Sequence, residues 1–357
     1  MRDYVRAVLV ELQMHRHTLT GTLRTIYIGG GTPSLLGSDN LALLLEPLTP
    51  MIDNHTEFTL EANPDSLSSS LARTLRTFGV NRVSLGVQSL IDEELQTLGR
   101  IHNAKQALHA FDILQQAGIA NIGADLIYGI PGQTPDSWQE SLDGIINTNP
   151  CHVSTYALSF ENATPLGEDL SSGKVVEMSE ELQKECYMLA RTKLANAGLP
   201  QYEISNFSRP DRRCVMSLTY WHNLSYLGLG PSAASFIGGT RRTNHADINT
   251  YMQSMNQRRP CPHNSERLTM PMAMAETLML ALRMTNGIER KELIERFGTD
   301  PVDVFQQSID RYASMGMLIV NDRLQIAEDA LFVSNSILTD IIQEALRLQS
   351  PPRRRCQ

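Results

Sequence analysis

Predicted strands in the first 160 residues end in glycine or polar residues, a pattern suited to holding a small charged molecule. Residues 25–34 read Thr-Ile-Tyr-Ile-Gly-Gly-Gly-Thr-Pro-Ser, an apolar strand that runs into a glycine loop. Glycines carry no side chain and permit positive φ angles, so this loop can approach a ligand closely. The loop matches neither G-x-G-x-x-G nor G-x-x-x-x-G-K-[ST], so a dinucleotide site or a P-loop is only weakly indicated.

The strands after the glycine loop supply carboxylate, amide and hydroxyl groups. Their carboxyl ends carry Glu61, Gln88, Asp125 and Ser159. In a (β/α) barrel that end of the sheet carries the chemistry, so these groups are expected to surround one bound molecule. The simpler alternative is that loops are polar in any protein. Five such strand ends in succession, one with three glycines, favour a binding face.

An alternation of strand and helix patterns positions these residues. The predicted strands are 25–29, 57–62, 82–87, 121–127 and 152–158, and the predicted helices are 39–49, 67–78, 91–98, 104–117 and 135–147. Strands alternating with helices through short loops predict an α/β fold with a parallel sheet or barrel. A further strand is predicted at 202–207.

The C-terminal part has a different pattern. Residues 271–340 predict helices and a hairpin through Asn321-Asp322-Arg323, which together suggest a winged-helix-like module. This stretch has six Lys or Arg against eleven Asp or Glu, which argues against DNA binding. The predicted domains are a partial barrel with an extension at 1–245, the helical module at 246–345 and a disordered tail at 346–357.

Composition narrows the function classes. The chain has 357 residues and a formal net charge of −8, which argues against nucleic acid as a partner. We expect a cytoplasmic protein, because no apolar run approaches the roughly 20 residues of a membrane span and the N-terminus does not begin a signal peptide. Five scattered cysteines, at 151, 186, 214, 261 and 356, fit neither a disulfide framework nor a zinc site.

The glycine loop and the motifs after it carry a specific resemblance. Gly29-Gly30-Gly31-Thr32-Pro33-Ser34 resembles the glycine motif of the oxygen-independent coproporphyrinogen oxidase-like branch of radical S-adenosylmethionine (SAM) proteins. Later segments resemble the branch's other motifs in order and spacing, namely residues 61–65, 82–89, 98–102 and 125–134. Tyr202-Glu203-Ile204-Ser205-Asn206-Phe207 and Tyr226-Leu227-Gly228-Leu229-Gly230 point to its heme chaperone subgroup.

The resemblance implies a partial (β/α) barrel that holds SAM across its strand ends. Carried over by position, Gly30, Gly31 and Thr32 would lie along the methionine part, and Arg100 would pair with the carboxylate. Glu61, Gln88 and Asp125 would hold amino or ribose hydroxyl groups, and Ser159 would lie near the adenine. The alternative for Glu61 and Asp125 is that they pair with Arg82 and Arg100 to brace the sheet. A glycoside hydrolase would use two such carboxylates, but it would give the glycine loop and Arg100 no role.

The chain departs from this family at the iron–sulfur motif. The family carries a C-x-x-x-C-x-x-C loop whose thiolates bind a [4Fe–4S] cluster, and no cysteine here precedes Cys151. The expected barrel therefore lacks its first strand and that loop. Two explanations are open: a sequence that begins too late, or a relative that has lost its cluster. As written, the chain is expected not to cleave SAM reductively, so enzyme activity stays open.

The heme motif of the subgroup is also altered. Its H-N-x-x-Y-W pattern aligns with Met216-Ser217-Leu218-Thr219-Tyr220-Trp221, so Met216 replaces the histidine implicated in heme ligation. Methionine can ligate heme iron, but packing in the core is the simpler interpretation. Three hypotheses remain: a heme chaperone that passes heme or porphyrin to an acceptor protein, a coproporphyrinogen III oxidase acting through a 5′-deoxyadenosyl radical, and a scaffold without a cluster.

Overall fold

A six-stranded sheet organises the first part of the chain. In a computed structural model, which describes residues 1–349, its strands run in the order β1-β2-β3-β4-β5-β6. The first five are parallel, and β6 pairs antiparallel with β5. The strands are β1 Thr25–Ile28, β2 Glu57–Ala62, β3 Arg82–Gln88, β4 Asn121–Tyr128, β5 His152–Ala157 and β6 Asn206–Ser208.

Helices connect these strands and cover the sheet. Those between β1 and β6 are α2 Gly37–Leu45, α3 Ser69–Thr77, α4 Asp92–Thr97, α5 Ala104–Gln116, α6 Pro135–Asn147, α7 Pro165–Ser171 and α8 Glu180–Asn196. Side chains alternate across a strand, and one face of β2 and β3 is fully buried through Phe58, Leu60, Val83 and Leu85. The predicted α/β class and the five predicted strands are confirmed, with bounds that agree within a residue.

The sixth predicted strand is only partly correct. Residues 202–207 were expected to form one strand, but the sheet contains Asn206–Ser208 alone. The segment before it pairs elsewhere: the Ile204 N–H donates to the Arg283 carbonyl at 3.1 Å, and the Thr285 N–H donates to the Tyr202 carbonyl at 3.1 Å. The segment predicted as one strand is therefore divided between two sets of backbone partners.

The remaining elements are mostly helical. They are α1 Arg2–His15 at the N-terminus, and then α9 Val215–Trp221, α10 Ile248–Asn256, α11 Met270–Ala281, α12 Arg290–Phe297, α13 Pro301–Val304, α14 Gln306–Ser314 and α15 Ser334–Gln349. Two three-stranded sheets accompany them: β7 Ala234–Ile237, β8 Thr240–Asn244 and β9 His263–Arg267, and β10 Ile288–Glu289, β11 Leu318–Val320 and β12 Arg323–Ile326. Short 3-10 helices lie at Arg16–Thr18, Pro33–Leu36, Glu46–Met51, Pro64–Ser66 and Glu328–Val333.

Two compact units divide the chain near residue 216. The first comprises Met1–Val5, Leu19–Gln201 and Ser205–Met216, and the second comprises Arg6–Thr18, Tyr202–Ile204 and the chain from Ser217. The sequence-based boundary at 245 falls inside the second unit. It differs because β7 and β8 pair with β9 rather than with the six-stranded sheet. The predicted hairpin is present as β11 and β12.

The end of the chain and its cysteines complete the fold. Helix α15 continues to Gln349, so residues 346–349 of the predicted disordered tail are helical, and 350–357 lie outside the described residues. Cys186, Cys214 and Cys261 are buried, Cys151 is half-buried, and all four are free thiols. Within residues 1–349, every helix is too short or too polar to cross a bilayer.

Candidate functional site

Glu61 lies beside the glycine loop, and each of its two carboxylate oxygens accepts a hydrogen bond from a different donor. The Tyr27 hydroxyl donates to Oε1 at 2.7 Å, and the Gly30 N–H donates to Oε2 at 3.2 Å. A Cβ at Gly29 would lie 2.6 Å from the Glu61 carboxyl carbon, so only glycine allows this close approach. The register that places Ile28 opposite Leu60 brings the loop and Glu61 to the same sheet edge.

The next two glycines leave space beside this carboxylate. Gly30 has a φ of 88°, and a Cβ built at Gly30 or Gly31 would meet no atom within 4 Å. Thr32 closes the loop, where its hydroxyl accepts from the Asn63 side-chain amide at 3.3 Å. The loop therefore combines exposed backbone with an open volume, which is the arrangement a bound ligand requires.

Gln88, Arg100 and Asp125 form a second connected group along the same edge. With its oxygen facing Arg100, the Gln88 amide accepts from Nη2 at 2.9 Å and donates to the Asp125 carbonyl at 3.2 Å. Gln88 adopts a φ of 67°, a left-handed conformation that is strained for a residue with a side chain. The Asp125 carboxylate accepts from the Ser84 hydroxyl, which lies 3.1 Å from each oxygen.

Burial is the largest influence on the pKa values of the ionisable side chains in this site. Burial raises the pKa of Glu61, opposed by its hydrogen bonds from Tyr27 and Gly30. Burial likewise raises the pKa of Asp125, opposed by a hydrogen bond from Ser154. Burial lowers the pKa of the Arg100 guanidinium, opposed by the nearby Asp65. Charged groups held half out of water interact strongly with a charged ligand, because solvent screens them less.

The predicted residues are thus brought together in two sets. Gly30 contacts Glu61, and Gln88 joins Arg100 to Asp125. Ser159 lies two residues beyond β5 and is exposed. Sequence reasoning missed Tyr27 and Ser84, which orient the two carboxylates. The period-two alternation of β1 and β3 was the available signal, because it places both on the face that carries Glu61 and Asp125.

Met216, the residue in the histidine position of the heme motif, lies in the first turn of α9. It is half-buried, and its N–H donates to Glu57 Oε1 at 3.4 Å. The Val215 N–H donates to the same oxygen at 2.8 Å. Glu57 therefore caps the start of this helix, and Met216 is not part of a fully buried core.

Comparison with known proteins assigns the family. Residues 3–145 match the model of the Radical SAM superfamily, and residues 268–333 match that of the HemN C-terminal domain. The heme chaperone HemW of Bacillus subtilis is 32% identical over 299 residues, which is 83% of this chain and 79% of the relative. The chain belongs to the HemW heme chaperone family. Membership in the radical SAM superfamily implies SAM and a [4Fe–4S] cluster as cofactors of the family.

Other matches agree with the HemW family. The mitochondrial radical S-adenosyl methionine domain-containing protein 1 of Bos taurus is 33% identical and covers 97% of this chain and 82% of its own. The Escherichia coli coproporphyrinogen III oxidase HemN has the same fold, with a TM-score of 0.80 over 95% of this chain and 82% of that one, at 20% identity.

Proposed function

We propose that this chain binds SAM at the carboxyl edge of its six-stranded sheet and serves in heme handling. The observation that carries the proposal is the open glycine loop beside the fixed Glu61 carboxylate. SAM presents an ammonium, a carboxylate, ribose hydroxyls and an adenine. The edge offers backbone amides, two half-buried carboxylates, an amide and a guanidinium within one compact unit.

Each group has a role that follows from its chemistry. Gly30, Gly31 and Thr32 lie along the methionine part, where the bare backbone can approach it. The Arg100 fork pairs with the SAM carboxylate, because a guanidinium donates two parallel hydrogen bonds to that group. Glu61, Gln88 and Asp125 accept hydrogen bonds from the ammonium or the ribose hydroxyls of SAM, and Ser159 lies near the adenine.

Calorimetric titration of SAM tests this proposal. We expect wild type to bind SAM and Arg100→Met to bind at least tenfold more weakly, because a charge-assisted bidentate pair is lost. The matched control is Arg73→Met, which removes an exposed arginine of α3 from the same unit and leaves affinity unchanged. Equal weakening by both substitutions would contradict the assignment of Arg100.

The iron–sulfur cluster does not fit the residues of this chain. Such clusters are held by cysteine thiolates, and no cysteine precedes Cys151. Among residues 1–349, no group of three or more His, Cys, Asp or Glu side chains is arranged to hold a metal ion. The residues of the proposed SAM site therefore contact only the organic groups of SAM.

The cargo we propose is heme or a porphyrin, which passes to an acceptor protein. Support comes from relatives named heme chaperones, which exceed 30% identity over most of their length. The test is titration with hemin followed by the Soret band, then mixing with an apo-globin that reports transfer. Saturable binding with transfer is the expected result. Anaerobic decarboxylation of coproporphyrinogen III would instead favour an oxidase.

A further inference from the structure

Glu94 is a buried acidic residue that the proposed ligand contacts do not include. Its side chain lies on α4 and is 5% exposed. Oε2 accepts from the Ser89 hydroxyl at 2.6 Å and from Gln133 Nε2 at 3.0 Å, and Oε1 accepts from the Ser137 hydroxyl at 2.6 Å. Three donors satisfy this buried carboxylate: one follows β3, and the other two lie in the connection from β4 into α6.

One of these donors leads to the loop after β4. Gln133 faces Glu94 with its amide nitrogen, and its amide oxygen accepts from the Gly129 N–H at 2.8 Å. Gly129 directly follows β4, the strand that carries Asp125, and has a φ of 82°. Glu94 and Gln133 together therefore fix the path of the chain as it leaves this strand.

A second donor leads to the loop after β3. Ser89 directly follows Gln88, whose left-handed φ requires support from its surroundings. The Ser89 hydroxyl donates to Glu94 and accepts from the Ile91 N–H at 2.9 Å. At the other end of α4, the Arg100 N–H donates to the Leu95 carbonyl at 2.8 Å. Helix α4 therefore lies between Gln88 and Arg100, with Glu94 as its buried anchor.

We infer that Glu94 is a positioning residue: its carboxylate joins the loops after β3 and β4, and so holds Gln88 and Arg100 in place against Asp125. This inference rests on the proposed SAM site, which Glu94 itself does not contact. In this assignment Gln88, Arg100 and Asp125 contact SAM directly, whereas the buried Glu94 sets the spacing between them. Through the hydrogen bond from Ser137, Glu94 also holds the first turn of α6.

A charge-swap experiment tests the inference through SAM affinity. Gln133→Glu places a second carboxylate 3 Å from Glu94, where like charges repel, and we expect SAM binding to weaken at least tenfold. The double variant Glu94→Gln with Gln133→Glu restores an amide–carboxylate pair in the reverse sense, and affinity should return to within threefold of wild type.

The controls separate this inference from the proposed function. Glu93→Gln removes the exposed neighbouring charge on α4 and should leave affinity unchanged. Failure of wild type to bind SAM would overturn the proposed function. The role of Glu94 would be overturned if wild type binds SAM and a folded Gln133→Glu variant binds it equally well. It would also be overturned if the double variant does not regain affinity for SAM. Should Gln133→Glu not fold, Ser89→Ala decides: we expect weaker binding, and unchanged binding overturns the inference.

Discussion

Replacing Gly29 by alanine is a sharp test of how the glycine loop and Glu61 depend on each other. The new methyl carbon would lie 2.6 Å from Glu61 Cδ and Oε1 and 2.6 Å from Tyr27 Cε1. Contacts this short do not occur, so Glu61 must turn away. It would then give up the hydrogen bonds from the Tyr27 hydroxyl and from the Gly30 N–H.

The size of the effect follows from these contacts. A hydrogen bond to a charged group contributes about 1.5–3 kcal/mol, so displacing Glu61 from the SAM ammonium or hydroxyls should raise the Kd about 10- to 100-fold. Overpacking should also lower the free energy of unfolding by about 1–3 kcal/mol. Calorimetric titration with SAM measures the first quantity, and urea denaturation of the ligand-free protein measures the second.

Gly31→Ala is the matched comparison. Its methyl would meet no atom within 4 Å, so the free energy of unfolding should stay within about 0.5 kcal/mol of wild type. The same methyl would enter the space assigned to SAM, so affinity should still fall. The reasoning is refuted if Gly29→Ala binds SAM as wild type does, or if Gly31→Ala does.

Three further predictions concern protonation, the second unit and heme. As the pH falls through the raised pKa of Asp125, SAM affinity should fall and the free energy of unfolding should rise, because the native state binds more protons than the unfolded chain. Asp125→Asn should reduce both pH dependences in paired titrations, and Glu61, whose pKa is also raised, accounts for what remains. Glu11→Ala removes an acceptor shared by three buried donors, on Gly230, Asn244 and Tyr251, so urea denaturation should report at least about 3 kcal/mol of lost stability, and a smaller loss contradicts this. Met216→Leu should leave the Soret spectrum of bound hemin unchanged, whereas a shift would make Met216 an iron ligand.

The parallel part of the sheet was predictable because β1 to β5 are stretches of four to eight residues rich in apolar and β-branched side chains, separated by helical patterns. Such periodicity fixes where β1 to β5 begin and end without knowledge of their partners. The prediction of a strand at 202–207 was only partly correct, because the pairing of this segment depends on distant residues. Residues 202–205 alternate apolar and polar side chains as a strand does, but the Tyr202 and Ile204 backbones exchange hydrogen bonds with residues 283–285, a pairing that no local pattern encodes.

The residues of the site were likewise predictable only in part. Glu61 and Asp125 stand at strand ends, where position alone suggests chemistry. Their orientation depends on Tyr27, 34 residues from Glu61, and on Ser84, 41 residues from Asp125. Glu94 resembles an ordinary surface glutamate in a short helix, and its burial follows from partners up to 43 residues away. Registers between distant strands and loops decide these contacts, so the structure was needed to find them.

The crystal structure of this chain with saturating SAM tests the central claim most directly. The account predicts SAM at the carboxyl edge of the six-stranded sheet, with its methionine part along Gly30 and Gly31 and its carboxylate paired with Arg100. SAM bound elsewhere, or bound at this edge with its carboxylate turned away from Arg100, would contradict it.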